Sequence, residues 1–251
     1  FILEGGESLV VLGGSNAAEI SRFGYLETLL AASYPDNPVY LRNLAWPADT
    51  VYRQQRPRNF FSSVNPNYGE RDGREPLAVD VAFLWLGQSE ALDSSRDIDA
   101  FEVAYREKLG LLQTYTGRVV LVTPVPCEDP LGLGLDTENR NRELGSIAGK
   151  IRQVGKEKGL PLIDLFSRLK GQQVTRDGLL LSRRGHLLAA QEVVRALRRD
   201  QPGRSLAAEL RPDGRLQSQP AENLRQAVLK KNRLWQQYWR PTNWSFLYGN
   251  R

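Results

Sequence analysis

At 251 residues, 41% hydrophobic and 25% charged, the chain has the make-up of an ordinary globular protein with room for a sizeable core. No apolar run approaches the roughly 18 residues of a transmembrane helix, the opening "FILEGGESLVVLGG" has no basic leader, and a lone Cys127 excludes an internal disulfide. The net charge of +5 is concentrated late, with eleven Lys/Arg against four Asp/Glu from Arg198 to Arg251, but no nucleic-acid motif accompanies it, so a solvated basic surface is expected.

In chain order, "SLVVLG" (8–13) reads as a buried strand and "AAEISRFGYLETLLAA" (17–32) as an amphipathic helix with apolar residues three and four apart. Strand-like runs follow at 39–44, 79–87, 118–125 and 160–166, with helical patterns near 97–115, 137–158 and 182–199. Strands alternating with helices predict a parallel sheet covered on both faces, with ligands beyond the carboxyl ends of its strands. Residues 53–78, rich in Arg, Asn, Pro and Gly, form a long insertion expected to shape the cleft entrance. A polar stretch leads to a last helix, "PAENLRQAVLKKNRLWQQYW", on which Leu234, Trp235, Tyr238 and Trp239 are expected to dock the tail on the sheet domain.

The candidate chemistry lies just after the strands. In "LGGSNAAE", Gly13 and Gly14 permit a sharp turn that puts Ser15 at a helix N-terminus, a fit place for a nucleophilic hydroxyl; the same pattern is also an ordinary N-cap. The second strand runs into "NLAWPADT" (43–50), the third into "LGQSEAL" (86–92), and the last is followed by "DGLLLSRRGH" (177–186). Cys127, in "TPVPCED", follows the fourth strand without a visible paired base.

In this order and spacing, the four segments resemble the SGNH, or GDSL, hydrolase family over about 200 residues. The resemblance is nearest to GDSL-like domains of planctomycete-type bacteria that precede haem-binding or membrane-bound dehydrogenase modules. It implies a flavodoxin-like, three-layer α/β/α fold with a five-stranded parallel sheet, and cleavage of esters. It places Ser15 as nucleophile, with Gly14 where the family has aspartate. Ser15, Ala48 and Ser89 become the oxyanion-hole candidates, Ala48 standing for a glycine and Ser89 for an asparagine. Asp177 takes the orienting-carboxylate position, but Leu180 stands where the catalytic histidine belongs.

The only histidine, His186, lies six residues further on. It is read as a half-buried structural residue, with a relocated base as the alternative. Asp177 acting directly would be a weak base at neutral pH. Glu90, Asp49 and Thr50 are read as braces of the strand-end loops. Residues 1–200 are thus expected to form the SGNH-like domain and 201–251 a basic, aromatic extension. The expected function is weak ester hydrolysis by Ser15, on an acyl or carbohydrate ester, without metal or cofactor. The alternative is a catalytically degenerate domain that binds a glycan, an acyl ligand or a neighbouring haem-binding or dehydrogenase domain. The resemblance favours a periplasmic or cell-envelope location.

Overall fold

A computed structural model describes residues 3–54, 61, 79–92, 97–197 and 208–239, the last two without their side chains. Most of the 53–78 insertion therefore lies outside the described residues. The sheet comprises β1 (Ser8–Gly13), β2 (Tyr40–Asn43), β3 (Val81–Trp85), β4 (Val119–Val122) and β5 (Leu162–Ile163). All four pairings are parallel and the order is β2-β1-β3-β4-β5. This is the flavodoxin-like order, whose direction reverses between β1 and β3; the crevice beyond their carboxyl ends is where such sheets hold ligands.

Alternation along the strands fills two cores. Leu9 and Val11 point to one face, under α3 (Tyr25–Ser33), the short α6 (Leu165–Leu169) and α7 (Arg183–Leu197). Val10 and Leu12 point to the other, under α4 (Ile98–Gln113) and α5 (Thr137–Lys158). Because both faces are covered, β3 is buried at every position, which is why its sequence is an unbroken apolar run. The expected α/β/α architecture is the one observed.

The single helix expected over 17–32 is instead three segments: α1 (Ser15–Ala18), α2 (Ile20–Phe23) and α3. Gly24 causes the second break, at φ +73°, a conformation that glycine adopts freely. Helix α8 (Gln219–Trp239) packs against it: a Cβ on Gly24 would sit 3.0 Å from Leu229 Cδ2.

Helix α8 is tied to α2 and α3 by polar contacts to their backbone and side chains. Arg225 Nη1 donates to the Phe23 carbonyl (2.9 Å), Asn232 Nδ2 donates to the Ser21 carbonyl (3.2 Å), and Lys231 pairs with Glu27. Of the expected aromatic stripe, Trp235 is partly buried beneath the Arg42 guanidinium, whereas Leu234 is 58% exposed. The side chains of Tyr238 and Trp239 lie outside the described residues, as does the 198–207 segment that holds the expected domain boundary. No helix among the described residues is long and apolar enough to cross a membrane.

Candidate functional site

The loops after β1, β2 and β3 converge on Gly14 and Ser15. Gly13 makes this possible, since a Cβ there would lie 2.4 Å from Ala17 Cβ and 2.7 Å from the Trp85 carbonyl oxygen. Space at Gly14 is bounded by the Asp49 carbonyl oxygen, 3.1 Å from where a Cβ would be, and by Ser89 Oγ at 3.9 Å. Ser89 thus faces the Gly14–Ser15 turn across the switch point of the sheet.

Ala48 N–H donates to Ser15 Oγ at 3.2 Å. Ala48 holds φ at +65°, a left-handed conformation that suits glycine and strains alanine, at the position where the family resemblance puts a glycine. The loop that carries it is fixed from below. Glu90 is 6% exposed and accepts from Val51 N–H (2.7 Å) and Gly87 N–H (2.9 Å), binding the second and third strand-end loops together. Asp49, in the same loop, is also buried.

A residue absent from the sequence reading brings the last segment to the site. Asn16 is 2% exposed; its Nδ2 donates to the Leu179 carbonyl (3.0 Å) and its Oδ1 accepts from Leu181 N–H (2.9 Å). Leu180 is therefore held between two bonds from the residue next to Ser15. The surrounding turn is tight: Thr175 and Leu181 are bridged antiparallel, and Arg176 N–H donates to the Leu180 carbonyl (2.8 Å). Glu128 secures it from the β4 side, accepting from Thr175 N–H (2.7 Å) and Oγ1 (2.9 Å).

Asp177 turns inward on this loop. Its Oδ1 accepts from the Leu179 (3.0 Å) and Leu180 (2.8 Å) N–H groups, and its Oδ2 lies 3.7 Å from Arg176 Nε. Among the described residues neither Asp177 nor any other carboxylate is hydrogen-bonded to Ser15, whose hydroxyl has Ala48 N–H as its partner.

His186 is 4% exposed and stacked on Phe23, with centroids 4.4 Å apart. It borders a small apolar void with Ile20, Leu26 and Trp85. Its Nε2 is 3.6 Å from Glu19 Oε2 and makes no hydrogen bond to Ser15. Burial pushes its pKa below the usual imidazole value, against the pull of Glu19, so the ring is neutral at pH 7.

Glu19 is the hub of a network that the sequence reading did not single out. Arg176 grips it with two bonds (2.7 and 3.0 Å), and Arg22 adds a third at 3.3 Å. Burial raises the Glu19 pKa, but the His186 imidazole 3.6 Å away and the Arg176 hydrogen bonds outweigh it and hold the carboxyl at about 2. Cys127 offers no second nucleophile. It is 5% exposed, its backbone N–H and carbonyl both bond the Asn141 side chain, and burial pushes its thiol up.

No protein-family model and no curated protein sequence matches the chain. Solved structures do. A member of the lipolytic G-D-S-L family from Veillonella parvula superposes with a TM-score of 0.55 at 16% identity, over 75% of this chain and 96% of the other. An acetyl-xylooligosaccharide esterase from Geobacillus gives 0.59 at 17%, over 78% and 96%. An acetyl xylan esterase gives 0.54 at 18%, over 76% and 99%. Likeness at such low identity speaks to architecture: the chain has the α/β fold of GDSL-type lipolytic proteins and acetyl xylan esterases.

Proposed function

We propose that the chain is a catalytically degenerate SGNH-fold domain that holds a small ester or glycan ligand over Ser15 without efficient turnover. The observation that carries this reading is the Ser15 hydroxyl, which accepts from Ala48 N–H and has no base hydrogen-bonded to it among the described residues. A serine hydroxyl without a base is a poor nucleophile. Leu180 has no proton to exchange, Asp177 Oδ1 is engaged by two backbone N–H groups, and His186 is buried against Phe23 and Glu19.

Recognition needs less than catalysis. Ala48 N–H and the Ser89 hydroxyl are two donors beside the Gly14–Ser15 turn, suited to a carbonyl or hydroxyl oxygen of the ligand. Two of the similar structures are named for acetylated xylans, so an acetylated oligosaccharide is the ligand class we assign. A second reading, a slow esterase with Ser15 as nucleophile, has the Ala48 N–H in its favour, because a donor kept beside the serine suits an oxyanion. A fluorophosphonate probe separates the two. Ser15 should stay unlabelled over times that fully label an active serine esterase, and stoichiometric adduct on Ser15 by mass spectrometry would establish the esterase.

A further inference from the structure

A cavity of about 1180 Å³ lies apart from Ser15, which is not among its lining residues. It opens between the N-terminal half of α7, α2 and the 208–215 turn, and its volume exceeds the roughly 300–1,000 Å³ of a pocket for one small molecule. Its walls are arginine-rich. Arg22 and Arg176 stand at one edge, Arg183 and Arg184 on the first turn of α7, and Arg211 and Arg215 on the facing turn, with Arg225 on the floor.

Much of this charge is already matched. Arg225 is neutralised by Glu222 and its guanidinium lies over the Tyr25 ring (5.1 Å), while Arg22 and Arg176 share Glu19. Asp213 lies 3.5 Å from Arg215 Nε, and Glu209 is the other carboxylate of the lining. With Asp177 also beside Arg176, two guanidinium charges are still in excess. Arg184 has no partner among the described residues, and Arg183 and Arg211 donate to the uncharged carbonyls of Asp213 and Gln217. Like charges gathered in a concave surface repel one another, and their shared field concentrates anions there.

We propose that this cleft binds an acidic oligosaccharide, its carboxylates or sulfates taken by the forked guanidinium groups of Arg183, Arg184 and Arg211. The concave wall does not fit a flat lipid surface. Nor does it offer bases a stacking platform, since Phe23 is faced by His186 and Arg22, and Tyr25 by Arg225. Arg22 also borders a second cavity, of about 500 Å³, which reaches Trp46 and Pro47, the residues preceding Ala48. A long acidic glycan could thus extend toward the Ser15 loop, but its capture in the arginine cleft does not depend on what Ser15 does.

The test is calorimetric titration of the full chain with a galacturonate decamer, a sulfated oligosaccharide, a neutral xylo-oligosaccharide, single-stranded DNA and anionic vesicles. The acidic oligosaccharides should bind in a salt-sensitive manner and the neutral one should not. Arg184→Ala should weaken binding about tenfold and Arg184→Glu further, with unchanged melting temperatures, and Ser15→Ala should leave it intact. Failure of both acidic glycans to bind, affinity indifferent to the Arg184 substitutions, or stronger binding of DNA or vesicles would overturn the proposal.

Discussion

At the scale of single residues, Ala48 is the strained position beside Ser15. Ala48 keeps its N–H on Ser15 Oγ only by holding φ at +65°. Relieving this strain is worth about 1–3 kcal/mol, of which the extra chain entropy of glycine takes back about 0.5–1. Ala48→Gly should therefore stabilise by about 1 kcal/mol, seen as a melting temperature raised by roughly 2–4 °C for a chain of this size. A lowered melting temperature would mean that the backbone is relaxed at Ala48.

His186 and Glu19 make a pH-dependent pair. Both have folded pKa values below their unfolded ones, so at acid pH the unfolded chain takes up protons first, and stability falls as pH is lowered. The His186 contribution is complete above about pH 6.5 and is lost on acidification from there. That of Glu19 is complete above about pH 4.5 and disappears as the pH approaches 2. His186→Phe, which keeps a ring against Phe23, should flatten the urea midpoint between pH 7 and 5, where the wild type declines. Parallel declines in both proteins would remove His186 as the cause.

The family resemblance singled out Ser15, Ala48, Ser89 and Leu180, and the strand-end segments that carry them meet around the Ser15 turn. Asn16 was not, because an asparagine in the first turn of a helix looks the same whether it faces water or clamps a loop more than 160 residues away.

At the scale of elements, the strands were legible because burial on both faces writes them as unbroken apolar runs, β3 most clearly. Helices α4, α5 and α7 were legible from their periodicity, and the side chains of Asp97 and Asp136 cap the first two. The break at Gly24 was missed because the apolar spacing runs on across it, although its φ of +73° ends α2. Helix α8 itself depends on a pair that its amphipathic pattern does not reveal. Arg225 and Glu222 are 9% and 5% exposed in their side chains, and the Arg225 guanidinium donates from Nε and Nη2 to the two carboxylate oxygens (2.8 Å each). Burial disfavours the Glu222 charge, yet Arg225 and Gln226 hold its pKa at about 2. Removing one partner strands the other charge in a dry interface, so Arg225→Ala should cost about 3–5 kcal/mol in urea unfolding. A loss below about 1 kcal/mol would show that α8 contributes little to the stability of the sheet domain.

At the scale of the whole molecule, the sheet order sets β1 and β3 side by side, and this alone brings Ser15 and Ser89 to one crevice. The fold is that of GDSL-type lipolytic proteins and acetyl xylan esterases, while among the described residues the Ser15 hydroxyl has Ala48 N–H and no base as its hydrogen-bond partner. The most direct measurement is hydrolysis of p-nitrophenyl acetate by the wild type, Ser15→Ala and Leu180→His at matched purity. Equal, near-background rates for the first two are predicted, with any gain confined to Leu180→His. A wild-type rate well above background that vanishes in Ser15→Ala would contradict the account and make the chain a working serine esterase.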